Sequence, residues 1–329
     1  MSDMKKYLAP ILALVLLALP LTGCAWKTND PAPLTIRLGG LKGPTSMGLV
    51  KLLKDDQEDV SSHSYSFTLA GSADEVTPKL IKGELDIAAV PANLAAILYH
   101  NTGGQIKLLA INTLGVLYIV EDGETVASLT DLKGKTIYAT GRGAAPEAVL
   151  YYLLRENGLD PDADVTIEWK AEPTEVVSLM TRNRGSVAMM PQPYVTMAQS
   201  TMENLRIAVD LTKEWEILDN GGMLLTGVFV VRGDFADEHP DQIAKFLEEY
   251  QASAEYTNTH ITEASLLIEE FDIVKAAVAE KALPYCNIVC YTGGEMKTAM
   301  GGYLRTLYEQ NPQSVGGVLP DDGFYYGAP

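Results

Sequence analysis

Cysteine, histidine and tryptophan are scarce: three, four and three residues in a chain of 329. Three cysteines cannot form the disulfide framework that holds small secreted folds together. Cys286 and Cys290 stand four apart in Pro-Tyr-Cys-Asn-Ile-Val-Cys. That spacing admits a disulfide without favouring one, so two buried thiols are expected. Neither a CxxC pair nor a neighbouring histidine accompanies them, so no metal site is expected. His63, His100, His239 and His260 are scattered, with no HExxH motif and no GxSxG elbow. In Gly141-Arg142-Gly143-Ala144-Ala145-Pro146, proline replaces the last glycine of a dinucleotide fingerprint, and residues 39–46 lack the Gly-Lys-Ser/Thr ending of a phosphate loop. Nothing assembles a nucleophile, a base and an orienting group, so neither an enzyme nor a cofactor is expected. Positive charge is also short: 25 Lys and Arg face 43 Asp and Glu, a net charge of −18. Nucleic acid, which needs a basic face, is excluded as a partner. An anionic ligand is not, because a buried site can bind an anion through backbone dipoles.

Residues 7–21 form a long apolar run, broken by Pro10 and Pro20 and shorter than the roughly 20 residues of a membrane span. Lys5 and Lys6 precede it and Leu21-Thr22-Gly23-Cys24 closes it, the pattern of a secretory leader. The closing tetrapeptide resembles the bacterial lipobox. That resemblance implies a lipoprotein signal peptide over 1–23, a lipidated Cys24, and attachment to the outer face of the cell membrane. Residues 24–33, polar and proline-bearing, read as a tether.

The rest of the chain repeats itself at an offset of about one hundred residues. Thr35-Ile36, leading through a glycine loop into Gly48-Leu49-Val50, matches Thr136-Ile137 leading through Gly141-Arg142-Gly143 into Val149-Leu150-Tyr151. Tyr65-Ser66-Phe67-Thr68-Leu69 matches Val165-Thr166-Ile167-Glu168-Trp169. Ile87-Ala88-Ala89-Val90-Pro91 matches Val187-Ala188-Met189-Met190-Pro191. Each half is strand, loop, helix, three times over, which implies βαβ units. The prediction is an α/β protein of two lobes, each a mostly parallel sheet flanked by helices. The lobes would be 34–121 with 227–329, and 122–226, joined by two crossing connections. Ile243, Phe246, Leu247 and Tyr250 form one helical stripe, and Met296, Met300, Tyr303, Leu304 and Leu307 another. Both read as core, and the C-terminal part is expected to return over the first lobe.

Ligands of open parallel sheets bind at the carboxyl ends of the strands. Three loop pairs meet that condition: 39–46 with 140–147, 70–74 with 170–174, and 91–93 with 191–193. Helix N-termini in these loops suit an anionic or acceptor-rich ligand. The candidate contacts are Gly43, Thr45, Ser46, Ser72, Asn93, Thr140, Gly141, Arg142, Gly143, Gln192 and Trp215. Arg142 offers a guanidinium clamp for a sulfonate or carboxylate, and Asn93 and Gln192 offer amides that either read the ligand or fix the turns they follow. Thr45 and Ser46 serve equally as helix caps, Arg142 as a solvated loop residue, and Trp215 as core.

Leu132-Lys133-Gly134-Lys135-Thr136-Ile137, Gly83-Glu84-Leu85-Asp86-Ile87-Ala88 and Met190-Pro191-Gln192-Pro193 carry a family likeness. With the leader and the two halves, the chain resembles the nitrate/sulfonate/taurine-type ABC substrate-binding proteins, whose superfamily includes binders of thiamine-pyrimidine precursors. The resemblance implies the two-lobed (type II) periplasmic-binding fold, hinge closure on a sulfonate-like or pyrimidine-like ligand, and delivery to an ABC permease and its ATPase by a monomer. Two departures stand out: Gly141-Arg142-Gly143-Ala144 for a Gly-Ser-Ser-like turn, and Gln192-Pro193 for Glu-Pro. The rival readings are a ligand-sensing lipoprotein and an enzyme of thiamine-pyrimidine or menaquinone type on the same scaffold.

Overall fold

The computed structural model describes residues 34–328. The leader, Cys24 and the tether lie outside the described residues. The first repeat is β1 (Thr35–Leu41), α1 (Pro44–Met47), α2 (Val50–Gln57), β2 (Ser64–Ala70), α3 (Ala73–Ile81), β3 (Ile87–Pro91) and α4 (Ala92–Asn101), followed by β4 (Ile106–Leu114) and β5 (Leu117–Asp122). The second is β6 (Thr136–Thr140), α5 (Ala145–Glu156), β7 (Thr166–Lys170), α6 (Pro173–Arg182), β8 (Val187–Pro191) and α7 (Tyr194–Thr201). Then come β9 (Leu205–Asp210), α8 (Leu211–Ile217), β10 (Leu225–Arg232), α9 (Gly233–Glu238), α10 (Pro240–Thr259), α11 (Ile261–Glu270), α12 (Ala276–Ala282), β11 (Ile288–Tyr291) and α13 (Gly293–Gln310).

Two sheets result, with strand orders β11-β4-β10-β3-β1-β2 and β7-β6-β8-β5-β9. The duplication is plain in them: β2-β1-β3 and β7-β6-β8 are equivalent parallel triplets. Residues 87–90 of β3 and 187–190 of β8 are buried throughout, as strands covered on both faces should be. The sheets are mixed rather than mostly parallel. β10 runs antiparallel to β3 and β4, and β5 antiparallel to β8 and β9. Each of these strands arrives from the other sheet and enters at the edge where the parallel strands end, so it must run the opposite way. The first crossing therefore falls at Gly115 and Val116, ahead of the expected boundary at 121, because Leu117–Asp122 pairs wholly within the second sheet. The two crossings touch: a side chain on Gly115 would meet Thr212 Oγ1 at 2.2 Å and Leu224 Cγ at 2.8 Å.

α10 covers the first sheet, with Phe246 and Tyr250 set edge-on to Phe229 of β10. Burying each such ring contributes about 1.5–3 kcal/mol. The C-terminal segment does more than cover the first lobe. α13 packs on both β4 and α5, and Arg155 donates to Gln310 Oε1 at 2.6 Å, so this helix bridges the two sheets. Cys286 and Cys290 are free thiols. Burial pushes Cys286 up to about 12 and Cys290 up to about 11.

Candidate functional site

A cavity of about 370 Å³ occupies the crevice between the sheets. Its walls come from four strand ends: Leu41, Lys42, Gly43, Pro44 and Thr45 after β1; Pro91 and Asn93 after β3; Thr140, Gly141, Ala144, Ala145, Pro146 and Val149 after β6; and Pro191, Gln192, Pro193 and Tyr194 after β8. The crossings add Val116, Leu117, Leu224, Leu225 and Thr226, and α13 adds Tyr303. Only two of the three expected loop pairs take part. β2 and β7 are edge strands, so the loops that follow them open away from the middle of the crevice.

The turn after β1 depends on Gly43. Its φ of 126° is a conformation that side chains disfavour, and no heavy atom lies within 4 Å of where a Cβ would stand. Gly141 combines a φ of 87° with close packing, since a Cβ there would lie 2.7 Å from Pro146 Cγ. Helices α4, α5 and α7 begin at the crevice with Pro91, Ala144 and Pro193 as their N-caps, none of which caps with its own side chain. Their positive dipole ends lie at the crevice, although Gln192 Oε1 takes the Thr196 N–H of α7 and Pro146 leaves α5 one donor fewer.

Two residues of these walls each hold a buried polar atom without a partner. Gln192 is 1% exposed; its Oε1 accepts from Thr196 N at 3.3 Å and Thr196 Oγ1 at 2.9 Å, whereas its Nε2 is unsatisfied. Because a backbone N–H can only donate, the contact with Thr196 fixes which end of the amide is oxygen. The unpartnered atom is therefore a donor. Tyr303 is fully buried and its hydroxyl is also unpartnered. Burial pushes that phenol above its ordinary value, so it stays protonated. Tyr194 is raised as well, first by burial and then by Glu172, against an opposing effect of Lys42. Lys42, the one charged residue on the walls, pairs with Asp272 at 3.0 Å.

Of the residues singled out in the sequence, Gly43, Thr45, Asn93, Thr140, Gly141 and Gln192 line the cavity. Asn93 donates through Nδ2 to Ser314 O at 2.9 Å. Five lie elsewhere. Ser46 is fully buried, its hydroxyl facing Gly40 behind the β1 turn. Ser72 is exposed and closes a capping box with Glu75 at the start of α3. Arg142 is exposed: Gly141 and Gly143, at φ 87° and 75°, carry the chain outward, and Gly143 N donates to Glu147 Oε2 at 2.8 Å. Trp215 is core, as its alternative reading held, with ring centroids 5.0 Å from Tyr152 and 5.9 Å from Tyr303. It supports Tyr303 from behind the wall. Tyr303 itself and the crossing residues were not singled out as contacts. The available signal was the phenol within an apolar stripe, since a buried tyrosine normally needs a partner for its hydroxyl.

A family model described as ABC transporter, phosphonate, periplasmic substrate-binding protein matches residues 56–280. No curated protein matches the sequence. Among solved structures, an ABC transporter from Parabacteroides distasonis aligns with a TM-score of 0.74 and 25% identity, over 88% of this chain and 98% of that one. The periplasmic aliphatic sulphonate binding protein of Escherichia coli aligns at 0.69 with 15% identity, over 88% and 93%. The alkanesulfonate-binding protein of Xanthomonas axonopodis pv. citri, bound to MOPS, aligns at 0.64 with 14% identity, over 86% and 94%. The sulfonate binders share the two-lobed architecture described above.

Proposed function

The chain belongs to the family of phosphonate-type periplasmic substrate-binding proteins of ABC transporters, and on that premise we propose that it holds a small ligand in the crevice between its sheets and delivers it to the permease and ATPase of an importer. The observation that carries the reading is the cavity: loops of both repeats line it, and two of its lining residues, Gln192 and Tyr303, each hold a buried hydrogen-bonding group without a partner. A ligand that contacts both lobes favours the closed arrangement through contacts absent from the open one. Binding rather than turnover is supported by the lining itself. Its titratable side chains are Lys42, Tyr194 and Tyr303, and they make no nucleophile–base pair.

Leu21-Thr22-Gly23-Cys24 supports attachment to the outer face of the cell membrane through a lipidated Cys24. A thermal-shift survey of sulfonates, phosphonates, aromatic carboxylates and pyrimidines tests the binding role. A ligand at a hundred times its Kd adds about 2.7 kcal/mol of stability. The expected result is a concentration-dependent rise in Tm with one compound class that also binds stoichiometrically in native mass spectrometry. Turnover of the bound compound would contradict a pure binding role.

A further inference from the structure

We infer that the crevice selects a ligand with an apolar body and a head that carries an acceptor oxygen and at most one negative charge, read by Gln192 and Tyr303, and that it discriminates against doubly charged phosphonates. The inference deepens the function proposed above and rests on the ligand lying in the crevice.

The head is specified by the two groups the protein leaves unmatched. Gln192 Nε2 and Tyr303 Oη are buried and lack protein partners. Burying a donor without an acceptor destabilises a fold, so folded proteins retain few of them. Both groups are neutral. A buried dianion needs charge-assisted donors, for which arginine is the usual residue. No arginine or histidine lines the cavity, and Lys42, the sole cation there, is half exposed and shares its charge with Asp272 in a solvent-facing ion pair. Arg142, the cation that the sequence suggested, is on the surface. The starts of α4, α5 and α7 supply partial positive charge, suited to one negative charge rather than two.

The body is specified by the walls. Five prolines, Pro44, Pro91, Pro146, Pro191 and Pro193, and the aliphatic residues of both crossings face the space, with no carboxylate among them. Such walls suit a ring or a short alkyl chain.

Calorimetry with benzamide, benzenesulfonate and phenylphosphonate tests the inference, because the three share a body and differ in head charge. At about pH 8.5 the phosphonate is doubly charged. The expected result is that benzamide or benzenesulfonate binds at least about tenfold more tightly than phenylphosphonate. Tyr303→Phe should weaken the preferred compound by about tenfold while the ligand-free Tm holds or rises, which a merely structural hydroxyl would not produce. Gln192→Glu keeps an oxygen facing Thr196 and exchanges the free donor for an acceptor, so it should weaken binding by about a hundredfold. Phenylphosphonate binding most tightly, and losing affinity in Gln192→Glu, would overturn the ligand class and leave the crevice reading standing. Binding that neither variant changes, or no binding by any of the three, would overturn the crevice reading itself.

Discussion

The two halves of the repeat end their third strands alike and then treat the neighbouring amide differently. After β3, Asn93 gives its amide to Ser314 O at 2.9 Å, within the short turn Pro312–Val315 that follows α13. After β8, Gln192 binds Thr196 with its oxygen and leaves its nitrogen unmatched. The first β-strand loops differ in the same sense. Thr45 is buried after β1, whereas Arg142 and Gly143 face solvent after β6. The C-terminal extension explains part of this. It returns over the loop that carries Asn93 and satisfies it through Ser314 O. The first-lobe amide is thus committed, and the second-lobe amide keeps an unmatched N–H donor. Tyr303, which the same extension brings to the crevice, adds the other unmatched group.

Substitutions can break or sharpen this contrast. The largest effect is expected at Gly302, where a Cβ would lie 2.3 Å from Gly221 O and 2.5 Å from Gly222 Cα. Backbone presses on that position, so Gly302→Ala should cost about 3 kcal/mol in chemical denaturation despite about 1 kcal/mol of gained helix propensity. Displacing α13 should also remove Tyr303 from the wall and abolish ligand-induced stabilisation. Asn93→Leu comes next, at about 1–3 kcal/mol of stability, because a buried carbonyl loses its donor. If that variant keeps full stability, the first-lobe amide is as uncommitted as the second and the contrast fails. Tyr303→Phe should be neutral or stabilise by up to about 1 kcal/mol, since it removes an unmatched hydroxyl. Arg142→Ala should change stability by less than about 0.5 kcal/mol and affinity by less than about twofold. A large loss of affinity there would restore the guanidinium clamp that the sequence suggested.

The repeat and the strand ends were legible because buried parallel strands leave short apolar runs and the two copies keep nearly constant spacing. Ile87–Pro91 and Val187–Pro191 appear in the structure as read. Strand direction was not legible in β5 and β10, because an apolar run has the same pattern in either orientation. Loop side chains were harder still. Arg142 occupies the right loop, but the positive φ of Gly141 and Gly143 turns it outward, and neither residue type reveals that in the sequence. Tyr303 was assigned to the core because helical spacing marks the face that is covered. It does not show that part of the covered space is a cavity.

Hydrogen–deuterium exchange with and without the tightest-binding compound tests the central claim most directly. The account predicts protection in both lobes at once, in residues 41–45 and 140–146, in 191–196, and around Tyr303. Protection confined to one lobe, or to the separate groove around Lys107 and Arg232, would contradict a ligand held between the two sheets.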